Sequence, residues 1–173
     1  MNVAPSTAAG RAAQQLGIAA LLGGNLFGRV AMHPALEGVC GPEDRGKVVN
    51  AAWRRYGTVN SIALAGVVGG WLGTRTDERG DAGLVRAKDV AVGAVVVTGV
   101  ASAIAGVAFG ASAPGGAVPL ESGSEPASGA PREVTRLKHL LNGLGRASAV
   151  AEVALVAVDA TLGASRRRRL SRR

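Results

Sequence analysis

The chain alternates long uncharged apolar stretches with short charged ones, and four apolar stretches stand out: residues 12–32, 56–74, 90–113 and 140–164. The first carries no charge between Arg11 and Arg29, and the second none between Arg55 and Arg75. The third is the clearest, uncharged from Asp89 to Glu121. The fourth is interrupted by Arg146, Glu152 and Asp159. A helix needs about 20 apolar residues to cross the hydrocarbon core of a bilayer. The second and third stretches satisfy that directly, and the first does so if Arg29 reaches back to an interface along its aliphatic stem. The fourth spans only if its charges find partners, because a lone charge at mid-membrane costs about 2.5–3.5 kcal/mol on insertion scales. The pattern predicts an all-α protein, a four-helix transmembrane bundle filling residues 1–165, with a basic C-terminal tail at 166–173.

Connecting segments fit this layout. Residues 34–50 hold Pro34, Gly41-Pro42 and Gly46 and read as a turn followed by a helix start. Glu43 and Asp44 there would face the positive end of the helix dipole. Residues 75–89 form a short charged loop, and residues 111–132, rich in Pro, Gly and Ser, read as a flexible, disordered outer loop. The apolar stretch after Arg11 lacks a small-x-small cleavage pattern and reads as a retained first span rather than a signal peptide.

Composition sharpens the picture. Hydrophobic residues make up 47% of the chain but aromatics only 3%, while Gly reaches 26 residues. Small apolar side chains in long runs suit helices whose backbones approach closely in a membrane. The Gly24/Gly28, Gly66/Gly70, Gly69/Gly73 and Gly106/Gly110 pairs have the spacing that leaves a groove on one helix face. That groove suits packing within the bundle and also self-association. The formal charge of +8 falls to about +2 once the six arginines of residues 166–173 are set aside. With that tail inside, Lys and Arg favour a topology with both termini cytoplasmic. The expected location is the bacterial cytoplasmic membrane. The expected partners are the lipid bilayer and, at the tail, anionic lipid. Nucleic acid is not expected, since no folded basic face or stacking aromatics accompany the charge.

Candidate chemistry is sparse. Cys40 is the only cysteine, so no intramolecular disulfide or CxxC site exists. No phosphate loop, nucleophile elbow, zinc-protease or calcium-loop motif occurs, and no cofactor or metal is called for. Glu152 and Asp159, seven residues apart, share a helix face to within about 20°, with Ser148 on nearly the same stripe. A carboxylate inside a membrane could relay protons, bind a cation or pair with a base. Asp159 lies nearer the cytoplasmic end, where it can reach the interface. The outer half collects Asn25, Arg29, His33, Tyr56, Asn60, His139, Asn142 and Arg146. This is a polar pocket in which His33 and His139 would meet and, with Glu37, could ligate a metal. Pro34 disfavours the helical extension that would align His33 with Glu37.

Residues 24–36, Gly-Asn-Leu-Phe-Gly-Arg-Val-Ala-Met-His-Pro-Ala-Leu, end the first span at His-Pro-Ala-Leu, and residues 47–57 lead helically into the second. This layout resembles small four-helix bacterial membrane proteins, among them the anthrone-oxygenase-like family, over roughly the first half of the chain. The Ala/Gly/Arg-rich composition resembles that of high-GC, actinobacterial-type proteins. The oxygenase likeness implies a cofactor-independent oxidation site in the bundle and fixes no residue of it. Three functions follow as expectations. The leading one is a structural or accessory membrane protein. The second is an oxygenase-like enzyme using His33, Asn60, His139 and Arg146. The third is a small proton-coupled transporter or transporter subunit using Glu152.

Overall fold

A computed structural model describes residues 5–75, 81–113 and 117–170, with the side chains of 5–7 and 166–170 left aside. Four long helices carry the fold: α1 (Pro5–Phe27), α2 (Pro42–Arg75), α3 (Ala82–Ala111) and α4 (Arg132–Leu170). α2 and α4 contain the expected stretches 56–74 and 140–164 and extend well beyond them into polar sequence, while α1 and α3 cover most of 12–32 and 90–113. Residues 76–80 of the charged loop and residues 171–173 of the tail lie outside the described residues.

Helix limits follow from local chemistry. Gly41, at φ 81°, turns the chain in a conformation that favours glycine. Pro42 then opens α2, with Glu43 and Asp44 in its first turn. Asp81 caps α3 by accepting from the backbone N–H groups of Gly83 (2.9 Å) and Leu84 (3.2 Å).

The end of α1 departs from expectation. Helical structure does not stop at Met32 but continues as a π-helical turn, Gly28–Met32, a helical turn, His33–Ala35, and a 3-10 turn, Leu36–Gly38. Pro34 has no N–H and its ring would clash with the carbonyl four residues back. The π turn widens the helix just upstream, with the His33 N–H bonded to the Gly28 carbonyl, so the proline is absorbed without ending the helix.

α1 and α2 form an antiparallel hairpin built on glycine. A Cβ at Gly17 would collide with the Ala63 carbonyl, and one at Gly70 with the Gly10 carbonyl; Gly66 faces the Ala13 carbonyl. Farther along, Gly24 receives Tyr56 and Gly28 receives Trp53. α3 and α4 form a second antiparallel pair. Ile18 and Leu21 of α1, Ala63 and Val67 of α2, Val92 and Val95 of α3, and Leu155 of α4 make the shared core.

Residues 111–132 are not a wholly flexible loop. A β-ribbon, β1 (Leu120–Ser122) paired antiparallel with β2 (Glu125–Pro126), closes over one end of the bundle. Val118 and Leu120 bury with Leu36, Val49 and Val134 in a second small core. Arg45 donates to the Val39 and Glu121 carbonyls, and Asn142 to the Ser124 carbonyl. Two apolar anchors and several side-chain bonds therefore hold a segment whose composition alone argued for disorder.

Two helices are long and apolar enough to cross a membrane: α3, and residues Arg132–Ser165 of α4. In their most apolar windows only 22% and 28% is buried inside the protein. Val90, Val97, Ile104 and Val107 of α3 and Val150 and Val153 of α4 face outward. α1 and α2 are less apolar because Gln14, Gln15 and Asn25 interrupt one, and Asn60, Ser61 and a series of glycines dilute the other.

Candidate functional site

Helical spacing brings Ser148, Glu152, Leu155, Asp159 and Leu162 onto the face of α4 that meets the other helices, and all but Asp159 are fully buried. On α1, Gln14, Ile18, Leu21 and Asn25 form the matching stripe. The two stripes produce two polar layers separated by an aliphatic one.

In the first layer the Glu152 carboxylate is 1% exposed. Asn25 Nδ2 donates to both of its oxygens at 3.0 Å, and Ser148 Oγ donates to Oε1 at 2.8 Å. Tyr56 stands close by, its hydroxyl donating to the Ala20 carbonyl. Among the described residues every hydrogen bond to Glu152 thus comes from a neutral group. Such a carboxylate is satisfied either as an anion accepting three bonds or, after local reorientation, as an acid donating one.

The second layer has different chemistry. Asp159 accepts from Gln14 Nε2 and Gln15 Nε2, each at 3.0 Å, and forms an ion pair with Lys88 Nζ at 3.1 Å. Lys88 is buried and Asp159 nearly so, at 3% and 11% side-chain exposure. Asp159 therefore does not reach for the interface, as its place in the sequence suggested. Lys88, assigned on sequence to a solvated loop, turns inward from the second turn of α3 and holds it. Beside this layer Asp89 accepts from Trp71 Nε1 (2.7 Å) and Arg75 (3.1 Å), and Arg75 lies over the Trp71 ring.

The residues of the expected outer pocket line no common groove among the described residues. His33 is half-buried against Gly123 of the ribbon, and its Nε2 has no hydrogen-bond partner among the described residues. His139 is exposed on α4, Asn60 lies farther along α2, and Arg146 is exposed beside α3. Glu37 is exposed, and among the described residues no group of three or more His, Cys, Asp or Glu is placed to hold a metal. Of two surface grooves, one runs between α3 and α4 and includes Arg146. The other, about 330 Å³, lies around Gly28, Trp53 and Tyr56. Neither is lined by His33, His139, Asn60 or Glu152.

Lys138 is the residue at this end that sequence reasoning passed over. It is 6% exposed, donates to the Gly123 carbonyl at 2.8 Å and lies over the Phe109 ring. Loss of hydration lowers its pKa to about 8. His33 is also pushed below its ordinary value, first by burial and then by the charges of Lys138 and Arg29. The available signal was the i, i+4 stripe Val134–Lys138, which places a lysine on the apolar face of α4.

No protein family, curated protein or solved structure matches this chain. The likeness to the anthrone-oxygenase-like family accordingly rests on residues 24–36 and the helix layout. What the arrangement does bring together is two carboxylates of α4, Glu152 among neutral donors and Asp159 beside Lys88.

Proposed function

We propose that the chain is a four-span integral protein of the bacterial cytoplasmic membrane with a structural or accessory role. In this reading the two buried acid layers join the α1/α2 and α3/α4 hairpins. The observation that carries it is the placement of exposed arginines in two belts. Arg29 packs at Gly145, next to Arg146, while Gly28 packs on Trp53, next to Arg54 and Arg55, so these four arginines share one level. Arg11, Arg75 and Arg86 mark the opposite level, which the backbone of α4 reaches near residue 166. Arg11 to Arg29 is about 27 Å of helix, and Arg55 to Arg75 and Arg146 to Arg166 are each about 30 Å. The hydrocarbon core of a bilayer is about 30 Å thick. Between the belts the charges are the inward-turned Glu152, Asp159 and Lys88, with Asp89 bonded to Trp71 and Arg75. α3 has no charge from Val90 to its end at Ala111 and can cross at this level without a belt of its own.

Membrane fractions from expressing cells test this directly. The chain should remain in the pellet through alkaline carbonate extraction, and its recovery in the soluble fraction would overturn the reading.

Glu152 favours a second reading, in which the bundle carries protons. A mid-membrane carboxylate whose donors among the described residues are all neutral can change protonation without breaking an ion pair. Reconstituted wild-type protein should then dissipate a pH gradient across vesicles, and Glu152→Gln should not while keeping its thermal stability. Equal leak rates for wild type, Glu152→Gln and empty vesicles would exclude it. The oxygenase-like alternative keeps only residues 24–36 in its favour.

A further inference from the structure

The groove between α3 and α4 has a volume of about 880 Å³. Its walls are small and apolar, among them Val90, Ala94, Val150 and Ala154, and its two cationic residues, Arg86 and Arg146, stand near opposite ends. Both guanidinium groups are exposed and have no ion-pair partner among the described residues. Arg75, by contrast, is paired with Asp89, and Lys88 and Asp159 with each other.

We propose that this groove binds one anionic phospholipid of the inner leaflet, with an acyl chain along the Ala/Val floor and the phosphate held by Arg86. The inference rests on the membrane reading above and names a ligand for a specific surface. Three observations carry it. An unpaired guanidinium at the rim of an otherwise apolar trough is complementary to a molecule with an anionic head and an apolar tail. The trough runs along α3 from Gly83 to Thr98, about 22 Å, long enough for an acyl chain that fills the roughly 15 Å of one leaflet's half of the hydrocarbon core. Arg86 also lies in the belt with Arg11 and Arg75, so its end of the groove opens where inner-leaflet headgroups sit. Ala87, Ala147 and Ala154 are exposed along the walls, so the space is produced by short side chains rather than by a gap in the core.

Full-length protein, purified in mild detergent, would be incubated with equal amounts of phosphatidylglycerol and phosphatidylcholine, and the retained lipid read by native mass spectrometry. Wild type should retain phosphatidylglycerol in preference by about fivefold, the factor expected from one interfacial arginine. Arg86→Gln should abolish the preference although the whole arginine tail remains. Ala154→Phe, at an exposed wall position, should lower retention of both lipids by filling the trough. A wild type without preference, a preference that survives Arg86→Gln, or retention unaffected by Ala154→Phe would each overturn the proposal. Thermal melting of each variant identifies any that has unfolded; Ala87→Phe then replaces Ala154→Phe, and Arg86→Lys, expected to keep the preference, complements Arg86→Gln. Carbonate extraction separates this failure from the failure of the membrane reading, since a membrane-embedded chain without lipid preference refutes the groove alone.

Discussion

Glu152 and Asp159 occupy one face of α4, yet loss of their charges should have different consequences. Among the described residues Glu152 accepts only from Asn25 and Ser148. In Glu152→Gln the amide keeps an acceptor oxygen for Ser148, Asn25 can flip to meet its NH2, and a buried charge disappears. Melting in detergent should change by less than about 1 kcal/mol, or improve. Asp159→Asn removes the carboxylate from the buried pair with Lys88, and breaking such a pair from one side usually costs about 3–5 kcal/mol. Comparable losses for the two variants would contradict the assignment of neutral and ionic layers. Sequence spacing put both carboxylates on one face, but Lys88 as the partner was not legible. It sits in a charged run, and only the crossing of α3 and α4 turns it inward. Lys138 gives a pH test. Its folded-state pKa, about 8, lies below the ordinary 10.5, so between these values the unfolded chain binds more protons. Stability should therefore rise with pH from about 8 to 10.5 and flatten above. Lys138→Met should remove that slope, and a slope that persists would assign it to other groups.

Among the elements, the α1/α2 crossing depends on individual glycines rather than on glycine content. Gly70 meets the Gly10 carbonyl, whereas a methyl group added at Gly69, one residue before it, would have no neighbour within 4 Å. Gly70→Ala should thus lower stability by about 1–3 kcal/mol through overpacking against backbone that cannot yield. Gly69→Ala should be neutral or raise it by about 0.5–1 kcal/mol, since alanine favours helix. Thermal melts of the two single variants check this, and equal effects would refute the crossing register. Sequence spacing singled out Gly24/Gly28 and Gly66/Gly70, which the fold uses, but equally Gly69/Gly73, which have no close neighbour. It missed Gly10 and Gly17, whose seven-residue separation carries no four-residue signature. The ribbon was hidden for a related reason. Val118 and Leu120 are too few to make an alternating strand, and they become visible as anchors only once Leu36, Val49 and Val134 assemble beneath them. Likewise, Pro34 argued for a helix end because the π turn that absorbs it has no sequence signature of its own.

For the molecule as a whole, the arginine belts make orientation a question about which end of the bundle carries which loops. The ribbon, Cys40 and the start of α2 lie beyond the belt of Arg29, Arg54, Arg55 and Arg146. The end of α2, the start of α3 and the end of α4 lie at the belt of Arg11, Arg75 and Arg86. The positive-inside tendency acts on short connections and helix flanks. Six of the 20 basic residues fall in the last eight positions, directly after the end of the α4 span, so that end should be cytoplasmic. Cys40 is exposed and provides a native reporter at the opposite end. A membrane-impermeant maleimide added to intact spheroplasts should label wild-type protein. In a Cys40→Ser background it should label Ser124→Cys, at the tip of the ribbon, and leave Ser171→Cys unlabelled until the membrane is opened. Labelling of Ser171→Cys but not of Cys40 or Ser124→Cys in intact cells would invert the topology while leaving four spans intact. Labelling of Ser124→Cys and Ser171→Cys from the same side would mean that α4 does not cross. α1 needs its own reporter, because Gln14 and Gln15 reach Asp159 within it and it is not among the two helices apolar enough to cross unaided. Ser6→Cys, just ahead of Arg11, should stay unlabelled in intact spheroplasts as Ser171→Cys does. Labelling of Ser6→Cys together with Cys40 from outside would place both ends of α1 on one side and reduce the bundle to three spans.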